Sequence, residues 1–390
     1  GILTVFVVVL TACGTEGPAG PAGEPGPAGE AAEIGELSCT ECHDDTTRLF
    51  QASQQWAKSN HGSGTSWARG TSTSCTACHS SEGFTAMTEA GVTPGDLEEA
   101  PSVSSNANCR TCHNIHTTYT EADFGLTTTD AVTLYAYEDV TFDGGKGNLC
   151  VNCHQARRTI ADATDGMIEA GSHWGPHHGP QSSVLLGIGG GGPEGSPGMH
   201  ASIEDTCVGC HVNEANGYDH VMASPDVASC VVCHTDAEDF DIGGKQTEIE
   251  DLLEDVAELL TTMGMLDSEG EPVEGTSYPE AEAWALWNYI LFALEDGSNG
   301  VHNPKYTTDL LEAAVVTLTA AVEEITDGVL TAVDAEAFTV TIETMDGESI
   351  TVSLPEDFDF TALELDSKVK VRGLTLEDGS IDADWVKPIV

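Results

Sequence analysis

The sequence predicts a mainly α-helical fold with extensive loop, followed by a small appended β-barrel, and three observations predict it. Between Cys39 and His234 a five-residue signature, Cys-x-x-Cys-His, occurs six times at irregular intervals. From 245 to 325 apolar residues recur at three- and four-residue spacing, the period of a helix. In the last 65 or so residues apolar and polar side chains alternate about Asp-Gly pairs, the pattern of strands and tight hairpins.

The chain, taken in order, opens on Ile2 to Leu10, an apolar run of nine residues. That is too short to span a bilayer and suits the core of a secretory signal, of which residues 1–13 would be a part. Leu10-Thr11-Ala12-Cys13-Gly14 has the form of a lipobox, with Cys13 the expected lipidation site. Over residues 14–36, Gly14, Gly17, Gly20, Gly23, Gly26 and Gly29 keep a strict period of three with prolines between them. Six triplets are few for a collagen triple helix, so a semi-rigid polyproline tether is expected.

Residues 37–244 carry the signatures. The copies are Cys39, Cys42 and His43; Cys75, Cys78 and His79; Cys109, Cys112 and His113; Cys150, Cys153 and His154; Cys207, Cys210 and His211; and Cys230, Cys233 and His234. Two thiols three positions apart can reach the two vinyl groups of one porphyrin, and the adjoining histidine then lies under the iron. Zinc sites and thiol redox centres also use paired cysteines, but neither requires histidine in the next position. All six pairs have it, in a chain with 14 histidines. Six covalently bound haem c groups are therefore expected. With 196 residues for six of them, the porphyrins themselves must form the core. Gly189 to Gly192 has no Lys-Ser/Thr pair after it, so it reads as a flexible or closely packed loop and not as a phosphate cradle.

Residues 245–325 complete this unit as helices. Ile249, Leu252, Leu253, Val256, Leu259 and Leu260 form one stripe, Ala281 to Leu294 is aromatic-rich and stops at Asp296-Gly297, and Leu310 to Val322 form a third. These are packing faces. Residues 326–390 are read as the barrel: Phe338 to Ile342 and Ile350 to Leu354 alternate around Asp346-Gly347, and Lys368 to Arg372 continues the pattern. This segment contains no cysteine or histidine, so it carries no haem.

The histidine inventory separates electron carriage from catalysis. Eight histidines remain after the six proximal ones: His61, His116, His173, His177, His178, His200, His220 and His302. Five stand alone, and one taken from the clump of His173, His177 and His178 makes six distal ligands. His177 is the preferred member. His116 follows His113 by three residues and cannot easily pass round the same ring, so it should serve a different haem. The seven methionines, the competing ligands, share no common context. Iron held by two imidazoles has no position for substrate, so no catalytic residue is assigned. Arg110, Arg157 and Arg158, beside signatures, are candidate partners for haem propionates.

A formal charge of −52 excludes nucleic acid and anionic membrane surfaces as partners, leaving a lipid anchor as the route to a membrane. Cationic electron-transfer proteins, mineral surfaces such as metal oxides, and divalent cations such as Ca2+ remain candidates. Haem attachment of this kind takes place outside the cytoplasm, so an extracellular or outer-surface location is expected.

Three stretches carry a family resemblance: Cys109-Arg-Thr-Cys-His-Asn-Ile-His116, Ser172-His-Trp-Gly-Pro-His-His-Gly-Pro-Gln181 and Gly300-Val-His-Asn-Pro-Lys-Tyr306. Residues 37–325 resemble multihaem c-type cytochromes of the nitrite-reductase-related superfamily. With six signatures and all-histidine ligation they are most similar to the outer-surface hexahaem, nanowire-type cytochromes of metal-reducing bacteria. The resemblance implies stacked haems, extracellular electron transfer, and filaments in which a histidine of one subunit can complete a haem of the next. The lipobox and barrel fit a surface-tethered monomer equally. The alternative is a reductase of nitrite, hydroxylamine or a sulfur oxyanion with one open haem. Nitrite reductases of that superfamily place lysine at the signature histidine, and no Cys-x-x-Cys-Lys occurs here.

Overall fold

The structure is a computed structural model that describes residues 43–45, 48–223, 225–323, 325–355, 358–376 and 378–389. The expected signal segment with Cys13, the glycine-periodic tether, and Cys39 and Cys42 lie outside the described residues.

Up to residue 244 the helices are short. They are α1 (Arg48–Trp56), α2 (Asn60–Ser63), α3 (Thr73–His79), α4 (Ser81–Ala90), α5 (Cys109–Cys112), α6 (Asn148–Val151), α7 (Gln181–Leu185) and α8 (Thr206–His211). Helices α3, α5, α6 and α8 fall on signatures because residues three apart on a helical turn share a face, which puts both sulfurs of a pair on one side. The turn continues into the histidine: the amides of His113, His154 and His234 donate to the carbonyls of Cys109, Cys150 and Cys230 at 2.9, 2.9 and 2.8 Å. Side-chain caps start these turns. Asn108 and Thr111 form a capping box at α5, and the Ser80 hydroxyl accepts from the Gly83 amide at 2.9 Å to start α4.

Two small antiparallel ribbons, which the sequence patterns did not signal, brace this region. Strand β1 (Val132–Leu134) pairs with β2 (Tyr137–Phe142), and β3 (Met167–Ala170) pairs with β4 (Thr276–Pro279). Each strand is too short for its alternation to stand out. The second ribbon joins the signature region to the helices that follow, with Ile168, Ala170 and Tyr278 inside the main apolar core.

That core is built by α9 (Lys245–Thr262), α10 (Glu280–Tyr289) and α11 (Pro304–Glu323). Ile249, Val256 and Leu260 of α9 meet Leu286 of α10 and Leu310, Leu311 and Leu318 of α11, all fully buried. Helix α10 runs on as a π-helical turn, Ile290–Asp296, which ends at Gly297 with φ +66°. The Gly189 to Gly192 loop is closely packed here. A Cβ on Gly191 would stand 2.5 Å from Cγ of Trp284, while its amide donates to Asn288 Oδ1 at 2.9 Å. The Trp287 indole donates to the Gly189 carbonyl at 2.7 Å.

The C-terminal strands are β5 (Ile325–Asp334), β6 (Thr339–Thr344), β7 (Ser349–Ser353), β8 (Lys368–Thr375) and β9 (Ile381–Pro388). They pair in the closed order β5-β6-β7-β9-β8, with β8 returning to β5. Gly347 takes the left-handed conformation (φ +81°) at the Asp-Gly turn between β6 and β7. Val340, Ile342, Val352, Val369 and Val371 fill a core separate from the helical one. Two contacts fasten the strands to the helices. Arg372 on β8 forks onto Glu282 on α10, with nitrogen–oxygen distances of 2.5 and 2.6 Å, and Lys370 Nζ donates to the Thr262 carbonyl at 2.7 Å.

The Arg372–Glu282 pair is buried, so removing one partner leaves the other charge stranded. Glu282→Leu alone is expected to cost about 3–5 kcal/mol in chemical denaturation, whereas Glu282→Leu with Arg372→Met should recover most of it. Equal losses in the single and double variants would contradict this account of the junction.

Candidate cofactor site

The signatures converge on one cavity of about 3320 Å³, and all ten described signature cysteines line it. So does every histidine of the chain except His173. Small-molecule pockets usually measure about 300–1,000 Å³, so this space is several such pockets run together. Divided among six groups it leaves about 550 Å³ each, inside that range.

Within the cavity the histidines stand in opposed pairs. Ring centroids of His43 and His116 are 6.1 Å apart, His61 and His154 6.0 Å, and His79 and His177 6.2 Å. His113 and His220 are 6.3 Å apart, as are His200 and His234. Two imidazoles on one metal, each bonded at about 2.0–2.1 Å with about 1.1 Å from nitrogen to ring centre, would have centroids about 6.2–6.4 Å apart. Each pair joins one signature histidine to one from elsewhere in the chain. His116 thus faces His43 and not its near neighbour His113. The remaining two, His211 and His302, are electrostatic neighbours in the same cavity.

The clump near residue 175 separates. His177 faces His79, while Nδ1 of His178 lies 2.9 Å from Oε2 of Glu295. His173 borders a different, smaller cleft with Trp174 and Glu271. His116 and His177 both adopt the left-handed backbone region, with φ +64° and +73°. This strained geometry re-aims a side chain within a short loop.

Hydrogen bonds fix several rings. Nδ1 of His113 donates to the Phe124 carbonyl, that of His220 to Tyr218, and that of His211 to Ala223, at 2.8, 2.8 and 2.7 Å. His200 donates to the Val301 carbonyl, His154 to Gln181 Oε1 at 3.1 Å, and His302 to Asp296 Oδ1 at 2.7 Å. A proton held on Nδ1 leaves the Nε2 lone pair free, the arrangement found in metal-bound histidine. Burial lowers His113, His154 and His211, favouring the neutral form that binds metal. It lowers His61 and His154, with mutual repulsion adding to it at His61, and takes His177 to about 4 with help from His178. At His302 burial also opposes charge, but the Asp296 carboxylate outweighs it and the ring is raised.

Tetrahedral structural zinc needs four ligands. Among the described residues no group of three or more His, Cys, Asp or Glu side chains converges as such a site would require. Opposed imidazoles in a cavity lined by paired cysteines fit a covalently attached haem instead.

The signatures also touch one another. The Cys78 and Cys153 thiols lie within hydrogen-bonding reach, and Cys78 Sγ is 3.7 Å from the Asn152 carbonyl. Cys150 and Cys207 are similarly placed. Ala77, Leu149, Cys112 and Cys153 share one apolar cluster, and Asn213 and Ser229 join the fifth signature to the sixth at 2.9 Å. The fourth signature therefore borders the second, third and fifth.

Of the three candidate arginines, Arg110 and Arg157 line the cavity. Arg158 instead donates to the carbonyls of His173 and Ser172 at 2.7 and 3.3 Å. Sequence patterns missed Arg48, a cavity residue whose guanidinium lies 4.9 Å from the Tyr218 ring centre. They also missed Gln181, which holds His154 from 27 positions away, and Asp296, which holds His302 six positions further on. An Asp-Gly pair signals a helix end and nothing more, so no local signal could have found Asp296. Among the described residues no helix is long and apolar enough to cross a membrane.

No curated protein matches the chain. Among solved structures, that of the outer cell wall cytochrome OcwA is similar at 23% identity and a TM-score of 0.43, covering 68% of this chain and 49% of that one. The match thus spans about half of that protein's length. Residues 28–114, which hold the first three signatures, match the family described as cytochrome c7 and related cytochrome c.

Proposed function

We propose that the chain is a hexahaem c-type cytochrome that carries electrons through six bis-histidine haems and performs no turnover of its own. The observation that carries this reading is the set of five opposed ring pairs at 6.0–6.3 Å in a cavity bordered by signature cysteines. Haem iron with both axial positions filled exchanges one electron and has no position for a substrate.

The residues divide the work as follows. Cys39 and Cys42, Cys75 and Cys78, Cys109 and Cys112, Cys150 and Cys153, Cys207 and Cys210, and Cys230 and Cys233 would become the thioethers. Their present thiol contacts report position, because the sulfurs would be alkylated in the loaded protein. The axial pairs would be His43 with His116, His79 with His177, His113 with His220, His154 with His61, His211 with His302, and His234 with His200. Arg48, Arg110 and Arg157 are placed to meet propionates. Contact between signatures supports a connected path from the third through the fourth and fifth to the sixth, and His116, three residues after His113, ties the first to the third through His43. The second joins at the fourth, so that position is a junction.

The exported setting rests on the apolar run, the lipobox at Cys13 and the chemistry of haem attachment. In this reading the protein sits at or beyond the outer cell surface, tethered or assembled into filaments, with 37–325 as the electron-carrying unit and 326–390 as a haem-free β module. It would pass electrons from envelope redox proteins to an extracellular acceptor such as a metal oxide. Electron micrographs of native secreted material separate the two forms: fibres for the filament, single particles for the tethered monomer.

A pyridine haemochrome assay on the native protein should count six haems per chain. Carbon monoxide should leave its reduced spectrum unchanged. His61→Ala, which removes the ring facing His154, should open one site in six to the gas, whereas His178→Ala should open none. A native protein that binds carbon monoxide at one haem would favour the open-haem reductase instead.

A further inference from the structure

We propose that Asp296 makes the His211–His302 position the lowest-potential point on the electron path, by drawing the Nδ1 proton of His302 toward its carboxylate. The proposal rests on the hexahaem reading above and concerns how its positions differ.

The contact is unlike the others in the cavity. His113, His200, His211 and His220 give their Nδ1 protons to neutral backbone carbonyls, and His154 gives its proton to a neutral side-chain amide. His302 alone among these six gives its proton to a carboxylate, at 2.7 Å. The other imidazole–carboxylate contact among the described residues, His178 with Glu295, involves a ring beside His177 and not one opposite a signature histidine.

Asp296 is built to stay in place. Its side chain is 1% exposed and that of His302 18%, so water screens their interaction little. Its second oxygen, Oδ2, accepts from the Ser298 hydroxyl and from the Ser298 amide at 3.3 Å. The residue closes the π-helical turn, and Gln181 Nε2 grips its backbone carbonyl at 3.1 Å while Gln181 Oε1 faces His154. A second rigid hold thus comes from the neighbouring signature.

An anionic acceptor at Nδ1 makes the opposite nitrogen a stronger donor to a metal, and both that donation and the buried negative charge favour the more positive oxidation state. The fifth signature stands between the fourth and the sixth, so travel toward the sixth includes an uphill step. Asp296 is a positioning residue: it acts through His302 and touches no reacting atom.

The test is a redox titration of the full-length haem-loaded protein, followed optically and by electron paramagnetic resonance. One of the six midpoints should lie lowest, and His302→Met should identify it by raising that midpoint alone. Asp296→Asn should raise the same midpoint by about tenfold in the oxidised-to-reduced ratio, which is about 59 mV for one electron. Ser298→Ala removes a competing donor from the carboxylate and should lower it. If Asp296→Asn does not accumulate in folded form, the sign of the Ser298→Ala shift decides. No shift in either variant, or a common shift of all six midpoints, overturns the proposal. Fewer than six haems or a high-spin haem in the native protein would instead sink the hexahaem reading itself.

Discussion

The structure depends on holding imidazoles opposite one another across a shared space, at a distance that two metal–nitrogen bonds would span. Five such pairs repeat within 6.0–6.3 Å although their members come from loops, short helices and left-handed turns with nothing else in common. Ordinary packing does not select one ring separation repeatedly. That constraint accounts for the character of residues 43–244: helices of one to three turns, abrupt caps and backbone in the left-handed region at His116 and His177. Helices α3, α5, α6 and α8 are only four to seven residues long, and each presents signature cysteines to the cavity.

The long helices solve a different problem. A region lined by a cavity of about 3320 Å³ buries little apolar side chain of its own, so it needs a conventional core beside it. Helices α9, α10 and α11 supply that core, and the β3–β4 ribbon, the glycine loop and Gln181 bind the cavity wall to it. The same helices contribute function, since the π-helical turn at the end of α10 delivers Asp296 to His302 and the loop after it delivers His302 itself. The C-terminal sheet shares neither role. It has its own core and meets the helices through the buried Arg372–Glu282 pair, a contact that fixes orientation more than it adds stability.

Electrostatics point the same way. In a chain with 65 acidic and 13 basic residues, Arg48, Arg110, Arg157, Lys146, Lys245 and Lys305 all line the cavity. Asp45, Asp123, Glu194, Glu204, Asp296 and Asp309 line it too, so the cavity wall is balanced in charge within a strongly anionic chain. Several of these cations already hold acidic partners, Lys146 with Asp205 at 2.6 Å among them, so the arginines are the freer recognition groups.

By itself the sequence determined the attachment chemistry, the helical period after residue 245 and the Asp-Gly turns of the C-terminal strands. Those are local patterns: a five-residue signature, a 3.6-residue period and a two-residue turn can each be read without knowing what lies opposite. It also bounded the candidate distal ligands to eight histidines but could not pair them. Only the tertiary structure decided that His116 faces His43, that His177 and not His173 or His178 faces His79, and that the fourth signature meets three others. It alone set Gln181 beside His154 and turned Asp296 back onto His302, and formed the β1–β2 and β3–β4 ribbons from strands too short to signal themselves. The physical reason is range: an opposed pair of rings joins residues tens or hundreds of positions apart, and no spacing along the chain records which loops the fold will bring face to face.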